Sequence, residues 1–186
     1  INEIKRVSKQ KIVNNEILSN ETKEFDNIFK KFTSNSKFTN YHYTCTGALA
    51  VESALKTAID YKKIKNPYLL SFKGSFHGIN SYGGIISDRI GGVKKRLDGF
   101  PGQYWSLFDN PIVNYKNNQP NYNLNQIDKV ISEIKKFLRR NNNVACIIIE
   151  PIQCTNGDNY FHNSFFIKLR DLCNIYDIPL IFDEIQ

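Results

Sequence analysis

Three short stretches place reactive or ligand-holding side chains at sharp turns of the backbone. The first is Thr44-Cys45-Thr46-Gly47-Ala48, where a β-forming run meets a glycine and the start of an apolar-periodic segment. A helix start has N–H groups with no intrahelical acceptor, and such a terminus suits a phosphate. The stretch is not a Walker A loop, since no Gly-Lys-Ser/Thr follows, and it is not Gly-x-Gly-x-x-Gly. Taken alone it reads as an ordinary strand-to-helix turn. The second stretch is Gly74-Ser75-Phe76-His77-Gly78, whose glycines let an aromatic ring and an imidazole approach a ligand closely. Taken alone it is a tight turn with a packed Phe. The third is a pair of acidic strand ends, Glu150-Pro151 and Asp183-Glu184. A carboxylate there can cap a neighbouring helix, hold a cation or hold a protonated ring nitrogen. No metal-ligand His accompanies either acid, so a metal is the weaker option.

The elements that must position these groups follow from periodicity. Phe25, Ile28, Phe29 and Phe32 make an i, i+3, i+4, i+7 stripe over 20–34, with Ser19 or Asn20 as cap. Tyr41–Thr44 reads as a short strand. A second amphipathic helix runs to about Lys63, with Val51, Ala54, Leu55, Ala58 and Ile59 inward. Tyr68–Phe72 is the next strand. Residues 73–122 hold most of the Gly and Pro, and short strands are expected around Ile85 and Ile112, because so long a structureless loop is uncommon. Leu124, Ile127, Ile131, Ile134 and Leu138 mark a helix closed by Arg139, Arg140 and Asn141–Asn143. Val144–Ile149 is a buried strand. Phe165, Phe166, Leu169, Leu172, Cys173 and Tyr176 mark the last helix, which feeds Leu180-Ile181-Phe182. Consecutive apolar residues suit a strand covered on both faces, as in parallel sheets, and ligands of such folds sit at the carboxyl ends of the strands. The alternation predicts an α/β fold, a mainly parallel sheet with helices on both faces.

With 186 residues, no repeat and no boundary, one sizeable domain is expected. The chain has no Met and stops three residues after Asp183, so it reads as an internal section of a longer protein, a single partial domain over 1–186. No apolar run approaches membrane-spanning length, so no membrane partner is expected. The net charge of +7 is spread over many helical faces. The clusters Lys62/Lys63/Lys65 and Lys94/Lys95/Arg96 are not interleaved with aromatics, so nucleic acid is not an expected partner, while an anionic ligand is compatible. Cys45, Cys146, Cys154 and Cys173 show no Cys-x-x-Cys spacing. Cys146 and Cys173 fall in apolar patterns and read as buried reduced thiols, as a cytoplasmic location would give.

Together the three stretches are specific: a phosphate cradle, a flat aromatic and a buried carboxylate are what pyridoxal phosphate requires. Their order and spelling resemble the class III aminotransferases of fold type I, the ornithine or ω-amino acid class. The resemblance covers essentially the whole chain, as a middle section of the cofactor-binding large domain. Gly47-Ala48-Leu49-Ala50-Val51-Glu52-Ser53-Ala54-Leu55-Lys56, Ser71-Phe72-Lys73-Gly74-Ser75-Phe76-His77-Gly78 and Ile149-Glu150-Pro151-Ile152-Gln153 carry it, with the run from Leu172-Cys173 to Gln186. Within the class the lysine ε-aminotransferase subgroup is the most similar.

The resemblance implies a role for each residue. The backbone of Gly47 and Ala48 binds the phosphate of pyridoxal 5′-phosphate. Phe76 stacks on one ring face with His77 beside it, and Ile185 packs on the other. Asp183 pairs with the ring nitrogen and keeps it protonated, and Gln186 hydrogen-bonds the phenolic oxygen. Glu150 sits nearby in a supporting role. No catalytic residue is assigned within this chain: the Schiff-base lysine is expected downstream of Gln186, and Lys73 and Lys56 do not take its place, so the chain alone is expected to be inactive. The implied reaction is ping-pong transfer of the ε-amino group of L-lysine to 2-oxoglutarate in a homodimer. Another donor (ornithine, 4-aminobutyrate or diaminobutyrate) and a non-catalytic phosphate-binding or interaction domain are the alternatives. Two departures bear on the donor. Related sequences read Gln-Gly-Glu-Gly-Gly where this chain has Gln153-Cys154-Thr155-Asn156-Gly157, and an Arg suited to a carboxylate is replaced by Ile79-Asn80.

Overall fold

The structure is a computed structural model that describes residues 2–7, 19–88 and 104–186. They fall into two compact units, one up to Thr44 and one from Cys45 onward. The cluster Lys94/Lys95/Arg96 lies outside the described residues.

In the first unit, α1 spans Asn2–Val7 and α2 spans Asn20–Phe32. Ser19 is the cap, its Oγ accepting from Thr22 N at 3.1 Å. The apolar stripe of α2 is mostly left uncovered: Phe25, Ile28 and Phe32 are exposed and Phe29 is half-buried. Tyr41–Thr44 is not a strand. Its β-forming residues serve as rings instead, Tyr43 edge-on to Phe25 at 5.3 Å and Tyr41 edge-on to Phe29 at 5.3 Å. Hydroxyl bonds of Tyr43 to Asp26 and between Tyr41 and Thr33 hold them against α2.

In the second unit β1 is Tyr68–Phe72, β2 Tyr104–Phe108, β5 Val144–Ile149 and β8 Leu180–Phe182. Among the described residues these four parallel strands form one sheet in the order β2-β1-β5-β8. Pleating sends alternate residues to opposite faces, an alternation that β5 breaks at Ala145-Cys146, where its register with β1 shifts. Leu70, Phe72, Ile147 and Ile149 pack with α5 (Leu124–Arg140) and α6 (Asn163–Ile175). Leu69, Ala145, Cys146 and Ile148 pack with α3 (Gly47–Lys62) and α4 (Ser81–Ile86). All six residues of β5 are buried, as a doubly covered strand requires. β8 departs from that expectation: Phe182 is 43% exposed, because β8 pairs on one side only among the described residues.

The described residues of the 73–122 stretch, 73–88 and 104–122, hold more structure than expected. Ile85 lies in α4 and not in a strand. The helix is preferred because Ile85 and Ile86 bury beneath α3 while Gly84 N and Ser87 N bond to Asn80 O and Gly83 O. Ile112 makes only an isolated bridge with Phe161. The hairpin of β3 (Asn114–Lys116) and β4 (Gln119–Asn121) turns through Asn117 and Asn118, both at positive φ, as a two-residue turn matched to strand twist requires. A second hairpin pairs β6 (Ile152–Gln153) with β7 (Asn159–Tyr160).

The cysteines are free. Burial pushes the thiol of Cys146 up to about 12 and that of Cys173 up to about 11. A thiolate is the reactive form. At pH 8 a thiol reagent is therefore expected to modify exposed Cys45 first and to leave Cys146 and Cys173 untouched until the protein unfolds. Prompt labelling of either buried thiol, read by mass spectrometry of the folded protein, would contradict this packing.

Candidate functional site

The three motif stretches converge at the carboxyl ends of β1, β5 and β8. α3 begins at Gly47 with Thr46 as cap, and Thr46 Oγ1 accepts from Leu49 N at 3.2 Å. Ala50 N bonds to Thr46 O at 3.0 Å. The N–H groups of Gly47 and Ala48 stand in the first turn of a 16-residue helix, where no intrahelical acceptor serves them and an anion can.

Against that start lie the other stretches. A Cβ placed on Gly47 would meet Ile185 Cδ1 at 2.5 Å, so Ile185 sits directly on the helix start. A Cβ on Gly78, whose φ is +99°, would meet Ala48 Cβ at 3.1 Å. Glycine is required there both for the left-handed backbone and for the close approach.

The β1 turn carries Phe76 half-buried and His77 fully buried. His77 Nδ1 lies 2.9 Å from Asp183 Oδ2, with side-chain exposures of 0% and 6%. An ionised Asp only accepts, so Nδ1 carries the proton. Asp183 Oδ1 accepts no hydrogen bond among the described residues, and the buried His77 Nε2 has no partner among them either. The carboxylate of Asp183 is thus oriented by one oxygen and available through the other.

Glu150 Oε2 accepts from Phe76 N at 3.0 Å, and Glu150 is only 5% exposed. The acid at the end of β5 therefore holds the backbone that presents the Phe76 ring. Gln186 lies exposed next to Ile185. Lys73 is exposed, its Nζ paired with Asp109 Oδ1 at 2.5 Å, which raises the ammonium above its ordinary range and lowers the Asp109 carboxyl. Lys56 is exposed on α3. Among the described residues no cluster of His, Cys, Asp and Glu has metal-site geometry.

Sequence reasoning missed Glu52 and Ser87. Both are buried; Glu52 Oε1 accepts from Gly83 N at 2.9 Å and Ser87 Oγ accepts from His77 N at 2.7 Å. Glu52 left a readable signal, an acid between Val51 and Leu55 on the inward face of α3. Ser87 left none. Gln153 was noted only as part of a motif. It is fully buried and donates from Nε2 to Lys73 O at 3.0 Å, tying the β6 hairpin to the β1 turn. Beside it, the Oγ1 of Thr155 is buried with no partner among the described residues.

The parallel α/β sheet thus brings a helix start, a half-buried ring and an oriented carboxylate together at one set of strand ends. The aminotransferase class-III family profile matches residues 3–186, and the chain belongs to that family. The fold is that of the fold type I aminotransferases. The L-lysine-epsilon aminotransferase of Mycobacterium bovis is 28% identical over 194 residues, covering 99% of this chain and 42% of that protein. An acetylornithine aminotransferase of Prochlorococcus marinus is 33% identical over 150 residues, covering 76% of this chain and 31% of that protein. The solved lysine aminotransferase of Mycobacterium tuberculosis superposes with a TM-score of 0.80 at 25% identity, over 97% of this chain and 43% of the other. The chain spans about two-fifths of the length of the lysine-epsilon aminotransferases it matches.

Proposed function

We propose that this chain supplies the cofactor-holding part of a pyridoxal-phosphate-dependent class III aminotransferase, as the middle section of its large domain. The observation that carries this reading is the buried Asp183–His77 pair at the strand ends, beside the start of α3. The residues fit the group. The N–H groups of Gly47 and Ala48 take the phosphate, Phe76 and Ile185 flank the ring, and Gln186 meets its phenolic oxygen. The free oxygen of Asp183 holds the ring nitrogen, and His77 keeps that carboxylate turned toward it. Glu150 supports the site by fixing the Phe76 backbone. Held there, the group would supply an electron sink for deprotonation at the donor carbon. A carboxylate on the nitrogen favours the protonated form by charge pairing.

The donor in this reading is L-lysine, giving 2-aminoadipate 6-semialdehyde, and the acceptor is 2-oxoglutarate, giving glutamate. The lysine-epsilon aminotransferases that align along nearly the whole chain support that donor. The same reading has the protein act as a homodimer in the cytoplasm. The acetylornithine aminotransferase at 33% identity favours an ornithine-type donor as the second reading. The test is a donor panel on the full-length protein with 2-oxoglutarate as acceptor. L-Lysine is expected to give the highest kcat/KM over ornithine, N-acetylornithine, 4-aminobutyrate and diaminobutyrate. A higher value for an ornithine-type donor would move the assignment to that donor. No turnover with any donor, and no absorbance band from bound cofactor, would sink the enzyme reading.

A further inference from the structure

Buried polar groups link the start of α3 to Asp183 through α4. Glu52, one turn into α3, accepts from Gly83 N at 2.9 Å. Gly83 O accepts from Ser87 Oγ at 2.8 Å. Ser87 Oγ accepts from His77 N at 2.7 Å, and His77 Nδ1 meets Asp183 Oδ2 at 2.9 Å. Glu52, Ser87 and His77 are each at most 9% exposed. The packing is as tight as the bonding. A Cβ on Gly83 would come within 2.2 Å of His77 O, so the first turn of α4 rests on the His77 backbone. Burying the Glu52 carboxylate and the Ser87 hydroxyl is costly unless each is paired. An apolar pair would pack α4 against α3 equally well. What the polar pair adds is direction, because hydrogen bonds fix the rotation of the His77 peptide where apolar contact does not.

We propose that Ser87 and Glu52 are positioning residues that hold His77, and through it the Asp183 carboxylate, in register with the α3 start. This rests on the cofactor reading above. Glu52 clamps α4 to the helix that receives the phosphate, and Ser87 clamps His77 to α4. The phosphate end and the ring-nitrogen end of one ligand are thereby set at a fixed separation. Neither residue touches the ligand.

The test measures pyridoxal phosphate affinity by quenching of protein fluorescence in the full-length protein. Inorganic phosphate serves as a competing probe of the α3 start alone. Ser87→Ala leaves the buried His77 N–H without an acceptor and is expected to weaken pyridoxal phosphate on the order of tenfold. Its inorganic phosphate affinity is expected to stay unchanged, since that anion needs only the helix start. Ser87→Thr, which keeps the hydroxyl, is expected to recover most of the loss. Glu52→Gln keeps an acceptor for Gly83 N–H and is expected to bind near wild type, with Glu52→Ala several-fold weaker. In an Asp183→Asn background, Ser87→Ala is expected to cost little more, because the two act through one chain.

Equal weakening of both probes, or full additivity with Asp183→Asn, would overturn the proposal. Wild-type affinity in Ser87→Ala would do the same. Should Ser87→Ala fail to fold, the Glu52→Gln and Glu52→Ala pair decides, and equal affinities for the two are the overturning result. A wild-type protein that binds inorganic phosphate but no pyridoxal phosphate would remove the cofactor reading itself, a different outcome from any of these.

Discussion

Asp183→Asn in the full-length protein is expected to lower kcat/KM for transamination, and affinity for pyridoxal phosphate, by roughly two to three and a half orders of magnitude. On the proposed reading the substitution removes the charge that would face the ring nitrogen, but it keeps an oxygen to accept from His77 Nδ1–H. Losing one partner of a buried, hydrogen-bonded charge pair costs about 3–5 kcal/mol. Each factor of ten corresponds to about 1.4 kcal/mol. Apo-protein stability is a separate prediction. Asp183 is 6% exposed in its side chain and His77 is fully buried, so the acceptor matters to the empty fold as well. Asp183→Asn retains one and is expected to leave the melting temperature of the cofactor-free protein nearly unchanged. Asp183→Ala strands the His77 donor and is expected to destabilise the cofactor-free protein by about 1–3 kcal/mol. The diagnostic result is the split: both variants lose the cofactor, and only the alanine loses stability. If Asp183→Asn bound pyridoxal phosphate like wild type, Asp183 would be a structural partner of His77 and nothing more. Equal loss of apo stability in both variants would place its role in folding.

Part of the candidate site was legible in the sequence. Asp183 was legible because the consecutive apolar residues Leu180–Phe182 announce a strand, and the carboxyl end of a parallel strand is where ligands bind. Gly47, Phe76 and His77 were legible by the same logic, at the turns that follow or precede regular elements. The partnership of His77 with Asp183 was not. It joins residues 106 apart in the chain, and no local pattern encodes which acid meets which imidazole. Glu150 illustrates the same limit. Its place at the end of β5 was readable, yet its function as acceptor for Phe76 N, 74 residues away, depends on β1 and β5 lying side by side.

The fold divides along a similar line. The long periodic helices α3, α5 and α6 and the buried strands β1 and β5 stood out, because each is specified by its own apolar pattern. β2 was missed inside a Gly- and Pro-rich region. α4 is six residues long, too short for its own periodicity to outweigh the β-branched Ile85-Ile86. Its helical state is set by Gly83 meeting His77 and Glu52, which are tertiary contacts. Tyr41–Thr44 failed for the opposite reason. Aromatic residues favour strands because rings pack well on a pleated surface, and here the rings find α2 instead.

Phe72→Ala is expected to destabilise the protein by about 3–5 kcal/mol, the range for emptying a fully buried Phe site. Phe72 has no exposed surface. Its ring stands edge-on to Phe165 of α6 at 5.7 Å and tilted to Phe108 of β2 at 6.5 Å, so a helix and a strand close on it. Collapse of the surrounding core can recover little, because Phe165 is itself held between Phe161 and Phe166. The loss is large against the 5–15 kcal/mol that typically separates folded from unfolded protein. It also reaches the site. Phe72 ends β1, its carbonyl accepts from Ser75 N at 3.2 Å, and Phe76 and His77 follow directly. A cavity beneath that turn frees the residues that carry the ring and the imidazole, so pyridoxal phosphate affinity is expected to fall with stability. Phe72→Leu leaves a smaller void and is expected to show a smaller loss of both. Denaturant midpoints at constant slope measure the first quantity. A change under about 1 kcal/mol for Phe72→Ala would mean that the core does not close on this ring. An unchanged cofactor affinity in a clearly destabilised variant would mean that the β1 turn is held by its polar contacts, Gln153 to Lys73 O and Glu150 to Phe76 N, independently of the packing below.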